Sequence, residues 1–143
     1  MAGNLTKKQF GDAGEFYVLS ELSFAGIPAQ KMPDNWPCYD LIAQPSGLPP
    51  QRINVKTVSW SENPGSYVIY KKSDQFEWFA IVLVNCPEHK RRVFLIPRLA
   101  LDAKAMHGKP TSKVYNESAV LCRRVPEQFG EYEGNFELRV VAA

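Results

Sequence analysis

With 143 residues, 45% of them hydrophobic and 22% charged, the chain has the composition of an ordinary globular protein and a length that favours a single domain over residues 1–143. No apolar run approaches the ~20 residues needed to cross a bilayer, and the N-terminus lacks the basic, apolar and small-residue succession of a signal peptide, so no membrane partner and a cytoplasmic location are expected. The net charge of +2 is too small to name a polyanionic partner by itself.

The distribution of chemistry says more. Cys38, Cys86 and Cys122 are an odd number at wide spacings with no C-x-x-C pair, so neither a disulfide framework nor a cysteine zinc site is indicated, and buried thiols are expected. The two histidines, His89 and His107, are not at metal-ligand spacing, so any bound metal must take oxygen ligands. Residues 1–124 carry 16 Lys and Arg against 11 Asp and Glu, a balance of +5, whereas residues 125–143 balance to −3. Basic runs recur as Lys7-Lys8, Lys71-Lys72, Lys90-Arg91-Arg92 and Arg123-Arg124. With Trp60, Tyr67, Tyr70 and Trp78 interleaved, they could form a phosphate-contacting surface, although a solvated exterior is the simpler reading and the favoured one.

Thr6 followed by Gln9 reads as a capping box, and helical periodicity holds from Lys7 to Ala25 until Gly26 ends it. Gly11, Gly14, Glu15, Val18, Leu22 and Ala25 share one face. Mid-helix glycines cost about 0.5–1 kcal/mol each relative to alanine, so two of them predict a helix pressed closely against a sheet. The texture then changes to short β-branched and aromatic runs, which predict strands near Ile27–Lys31, Cys38–Gln44, Gln51–Ser59, Ser66–Tyr70, Trp78–Asn85 and Arg92–Ile96. The turn-rich residues Pro45 to Pro50 should fold the second and third strands into an antiparallel hairpin. The continuously apolar run from Phe79 to Val84 reads as a central strand covered on both faces. Pro97 opens a second helix over Arg98 to Met106, ended by Gly108. A strand around Ala119–Arg123, a helical turn near Pro126–Phe129 and a closing strand Phe136–Val141 complete the reading.

On the third strand Arg52, Asn54 and Lys56 point to one side, Ile53, Val55 and Thr57 to the other. On the second, Tyr39, Leu41 and Ala43 make the matching apolar side and leave Asp40 opposite. Hairpin pairing sets Asp40 across from position 55, give or take one, and a shared face with Asn54 and Lys56 requires a one-residue offset or a bulge. If Glu15 arrives from the first helix, two carboxylates, an amide and an ammonium converge. A hard divalent cation takes carboxylate and carbonyl oxygens, and a neighbouring lysine can orient water or offset charge on a phosphoryl oxygen, so the group suits phosphodiester hydrolysis.

Glu15 on a helix, Tyr39-Asp40-Leu41-Ile42 on a strand, a short turn, and Ile53-Asn54-Val55-Lys56-Thr57 on the next strand resemble the PD-(D/E)xK nuclease superfamily over residues 10–100. The likeness is to small bacterial endonuclease-like proteins with a Val-Lys-Thr motif ending, and more distantly to homing endonucleases and archaeal Holliday-junction resolvases. The resemblance implies an α/β, restriction-endonuclease-like core, a mixed central sheet flanked by helices in αβββαβ order. It further implies a metal-dependent DNA endonuclease using Mg²⁺, with Mn²⁺ as a substitute. Asp40 would be the main metal ligand, Lys56 the catalytic lysine and Glu15 the helix-borne acid, with the Val55 backbone carbonyl and Asn54 as further ligands. Tyr39 stands where proline is usual, and Asn54 where the family has Asp or Glu, which removes one unit of attraction for the cation. That substitution supports a second reading on the same fold, a catalytically degenerate nucleic-acid-binding or assembly module. A protein-interaction domain is a third. A homodimer is compatible with a small site that cuts one strand at a time. Pro33-Asp34 spells the motif dipeptide but reads as a turn, Lys71 and Lys72 as a solvated loop, and Ser73 to Glu77 as a helix-turn cap without chemistry.

Overall fold

The computed structural model describes residues 4–88 and 91–140. The Thr6 hydroxyl accepts a hydrogen bond from the Gln9 amide at 3.1 Å while the Gln9 side chain accepts from the Thr6 amide at 2.9 Å, and this reciprocal box starts α1 (Lys7–Phe24). Gly26, at a φ of +84°, turns the chain away at its end. There follow β1 (Ala29–Lys31), β2 (Leu41–Ala43), β3 (Gln51–Ser59), β4 (Tyr67–Lys71), β5 (Trp78–Val84), β6 (Arg91–Pro97), α2 (Arg98–Lys104), β7 (Met106–His107), β8 (Glu117–Leu121) and α3 (Val125–Phe129).

A mixed five-stranded sheet runs in the order β1-β2-β3-β5-β6, with β3 and β5 parallel and the other neighbours antiparallel. The crossover from β3 to β5 passes through β4, which joins a second sheet of order β4-β8-β7. Strand β5 lies between β3 and β6 and is buried from Trp78 to Leu83, as its unbroken apolar run requires. Its alternate residues feed two cores. Ala80 and Val82 pack with Val18 and Leu22 of α1, while Phe79 and Ile81 pack with Tyr70, Leu101, Val120 and Phe129 of the elements on the other face.

Gly14 explains how closely α1 lies on the sheet: a Cβ there would stand 1.8 Å from Thr57 Oγ1. The other expected glycine contact is absent, since a Cβ at Gly11 would meet nothing within 4 Å, and Ala25 is exposed. Strand β2 starts at Leu41 instead of Cys38, because Cys38 takes a φ of +77° that interrupts extended backbone. Met106 leaves α2 for β7, where the neighbouring His107 Nδ1 lies 2.6 Å from Ser118 Oγ. The expected strand Phe136–Val141 does not form over 136–140, and Val141 lies outside the described residues. Asn135 ties that stretch instead, its side chain donating to the Leu95 and Arg139 carbonyls and accepting from the Arg139 amide, so turn bonds replace a ladder. Among the cysteines Cys86 and Cys122 are buried, but Cys38 is only half-buried.

Candidate active site

The site arises where the hairpin opens. Leu41 faces Ile53, Ile42 faces Arg52 and Ala43 faces Gln51, so Asp40 continues opposite Asn54, which is the one-residue offset that a shared face requires. Beyond Ile53 strand β3 has lost β2 as a neighbour, and its next outward amide would be unpartnered. Asp40 Oδ2 accepts that Val55 amide at 2.8 Å. The Asp40 amide donates to the Ile53 carbonyl, and the Met32 amide donates to the Asp40 carbonyl, both at 2.9 Å. Three bonds thus fix one carboxylate at an open sheet edge.

Around it lies a cleft of about 640 Å³ whose walls include Glu15, Asp40, Asn54, Val55, Lys56 and Asp74. All five residues singled out in the sequence therefore share one concavity. Glu15 reaches it from α1, directly after the close contact at Gly14. Its carboxyl is pushed above the usual range, first by burial and then by the Asp40 charge, with Lys31 Nζ at 3.5 Å opposing both. Burial also raises Asp40, against the Val55 N–H and the Lys56 and Lys31 charges, which favour the ionised form. Asn54 is only 6% exposed, and its Nδ2 donates to Asp74 Oδ2 at 3.4 Å. Lys56 is exposed and lines the cleft.

Tyr39 does not share the side of Leu41 and Ala43; it packs on the cluster around Phe79, edge-on to Trp36 with ring centroids 6.2 Å apart, since β2 begins only at Leu41 and its alternation does not extend back to Tyr39. Trp78 and Tyr70 offer no stacking surface, being buried at 4% and 1% exposure. The basic runs divide: Lys71 lines the cleft, Lys7 and Lys8 line an adjoining hollow with Asp34, and Arg92 is paired to Glu133 at 2.7 Å. Lys90 lies outside the described residues. Asp34 sits in the expected turn, its carboxyl held below the usual range by Lys31 and then Lys8.

Asp74 and Lys31 are the residues that sequence reasoning missed. Asp74 lies in the turn after β4, where its Oδ2 also accepts the Lys71 amide at 3.2 Å, and no local motif announces a contact made 20 residues away. Lys31 had one usable signal: β1 pairs with the strand that follows Asp40.

Glu15, Asp40, Asp74 and Glu117 outnumber Lys56 and Lys71 in the cleft, so its own charge is negative. Among the described residues no three His, Cys, Asp or Glu side chains gather closely enough to form a complete metal cage. Two carboxylates, an amide oxygen and a backbone carbonyl nevertheless fit a hard cation that keeps several waters, the usual habit of Mg²⁺. Among the described residues no helix is long and apolar enough to cross a membrane.

No family model and no curated protein matches the chain. Among solved structures it is similar to the bacterial homing endonuclease I-Ssp6803I, with a TM-score of 0.63 at 18% identity over 94% of this chain and 93% of that one. It is also similar to Hjc, a Holliday junction resolvase from the archaeal hyperthermophile Archaeoglobus fulgidus, with a TM-score of 0.52 at 16% identity over 85% and 88% of the two chains. The likeness is one of fold: a mixed central sheet flanked by helices, of the restriction-endonuclease-like kind.

Proposed function

We propose that this chain is a PD-(D/E)xK endonuclease that hydrolyses phosphodiester bonds in DNA with Mg²⁺, for which Mn²⁺ substitutes. The observation that carries this reading is the meeting of Glu15, Asp40 and Lys56 at the open edge of β3. Asp40 and Glu15 would hold the ion, with the Asn54 amide oxygen and the Val55 carbonyl as neutral donors. Bound there, it would polarise the scissile phosphate and ease deprotonation of the attacking water. Lys56 is exposed to the cleft, where its ammonium donates to a phosphate oxygen and offsets the charge that develops during attack. The acid excess of the cleft supports the metal requirement, because a bare carboxylate cluster repels a phosphodiester.

DNA is held by counterion-releasing contacts from Lys71 on the cleft wall and from the basic residues of the adjoining hollow, so affinity falls as salt rises. A homodimer supplies a second site for the second strand. Three free thiols, two of them buried, accord with a reducing, cytoplasmic setting. The second reading, a nucleic-acid-binding or assembly module without catalysis, rests on Asn54, whose amide lacks the charge of an acid.

One experiment separates them. Supercoiled plasmid and branched DNA are incubated with Mg²⁺ or Mn²⁺ and wild type, Asp40→Ala, Lys56→Ala or Asn54→Asp protein. The nuclease reading expects nicking by wild type, none by Asp40→Ala, a loss of about 10²–10³-fold for Lys56→Ala, and faster nicking by Asn54→Asp. Salt-sensitive DNA binding without cleavage by wild type or Asn54→Asp selects the module reading.

A further inference from the structure

Asn54 poses a problem of charge that the structure answers from elsewhere in the chain. Its side chain lies in the floor of the cleft, 6% exposed, and its Nδ2 faces Asp74 Oδ2 at 3.4 Å. A carboxylate accepts only, so the amide must turn its NH₂ toward Asp74. The amide oxygen then becomes the other end of the group, and among the described residues nothing donates to it. It is left available in a cleft that also holds Asp40 and Glu15.

Asp74 is itself held in place. The Asp74 amide donates to the Lys71 carbonyl at 3.1 Å and its Oδ2 accepts the Lys71 amide, which closes a tight turn after β4. Arg98 clamps that turn from α2, donating to the Asp74 carbonyl at 2.7 Å and to the Lys72 carbonyl at 3.2 Å while lying 4.2 Å above the Phe76 ring. Arg98 is in turn fixed by Asp102 at 3.2 Å, and Asp102 accepts the Tyr70 hydroxyl at 2.6 Å. From across the turn, Asn116 accepts the Ser73 amide at 3.2 Å. Asp74 and Asp40 line the same cleft.

We propose that Asp74 supplies, from the turn between β4 and β5, the negative charge that Asn54 lacks on β3, and that it positions the Asn54 amide with its oxygen free for a cation. The acid of the motif is thereby divided between two residues: Asn54 contributes the ligand atom and Asp74 the charge behind it. Asp74 is a positioning residue in this arrangement. The inference rests on the nuclease reading, and it deepens the account of the same site.

The test is isothermal titration of the full chain with Mn²⁺ and with Mg²⁺, run beside plasmid nicking. Asp74→Asn keeps an acceptor for Asn54 and Lys71 but removes the charge, Asp74→Ala removes both, and the exchange Asn54→Asp with Asp74→Asn returns the charge to β3. Metal affinity should fall about tenfold in Asp74→Asn and further in Asp74→Ala, within the range for residues that support a metal ligand, and the exchange should recover it to within about threefold of wild type. A turn with a merely structural role would not be rescued by a new acid on β3. Circular dichroism checks that each variant is folded, and the exchange carries the decision should Asp74→Ala not be. Metal binding by wild type that is unchanged in Asp74→Asn, or an exchange no better than Asp74→Asn, overturns this inference alone. A wild type that binds neither metal overturns the nuclease reading and this inference together.

Discussion

Gly14→Ala tests the packing that delivers Glu15. The new Cβ would stand 1.8 Å from Thr57 Oγ1, 3.0 Å from its Cβ and 3.2 Å from its Cγ2. Rotating Thr57 relieves the first contact but leaves its Cβ at 3.0 Å, so α1 must still move outward by about 0.4 Å to reach ordinary contact at 3.4 Å. Overpacking of this kind costs up to about 3 kcal/mol, while alanine returns about 1 kcal/mol of helix propensity, so a net loss of about 2 kcal/mol is expected. For a chain of this size that lowers Tm by about 6–8 °C. Because Glu15 is the next residue, the displaced helix also carries its carboxylate away from Asp40, and metal affinity should fall with stability. Thr57→Ala removes Oγ1 and Cγ2 and eliminates a buried hydroxyl that has no hydrogen-bond partner, so alone it should cost less than about 1 kcal/mol. In the double variant the two changes should couple by about 1–2 kcal/mol in the restoring direction. Urea and thermal denaturation of the four proteins, with metal titration alongside, measure all of this. A Gly14→Ala protein that melts at or above wild type, or a double variant no better than Gly14→Ala, would refute the reasoning.

Asp40 and Glu15 both have folded-state proton affinities raised above those of the unfolded chain, so their contribution is most favourable below about pH 4 and is lost as pH rises through the raised values. Asp40→Asn, whose amide oxygen can still accept the Val55 N–H, should therefore gain stability relative to wild type as pH rises from about 4 to 8 in chelator. Urea midpoints at the two pH values check this, and a relative loss at pH 8 counts against it. Arg98→Ala removes the clamp on the turn carrying Asp74 together with its stacking on Phe76, and should destabilise by about 2–3 kcal/mol in chemical denaturation. Lys71→Ala, at the cleft wall, should weaken DNA binding uniformly across sequences and reduce the salt slope by about 1, as read by fluorescence anisotropy over a salt series.

What could be read in the sequence is what short-range chemistry determines. The capping box at Thr6, the hairpin between β2 and β3 and the buried run of β5 are each specified by residues a few positions apart, and the structure follows them. Asp40 and Lys56 were legible for the same reason, since strand alternation and one tight turn bring them together. Tyr39 was misplaced because the strand starts only at Leu41, after a left-handed Cys38, a conformation that cysteine gives no sign of, so alternation could not be carried back to it. Asp74 was invisible because its position depends on Arg98 and Asn116, whose contacts span 24 and 43 residues. The segment after Phe129 failed in a related way: Asn135 satisfies the backbone with its side chain, a choice that the alternation of apolar and polar residues from Phe136 to Val140 does not reveal.

Folding alone gives no reason for carboxylates at positions 15 and 40. An asparagine at 40 could accept the Val55 amide, and a glutamine at 15 would keep the helix, and neither would pay the desolvation that raises both acids. Lysines relieve that cost only in part: Lys31 is shared between Glu15 and Asp34, and Lys56 faces the open cleft. The negative charge that remains is therefore a poised deficit, one that a divalent cation relieves more completely than a lysine because it can approach both carboxylates at once. It follows that metal binding and thermal stability should rise together in this protein, and that Asp40→Asn should abolish the metal-dependent gain even where it raises stability in chelator.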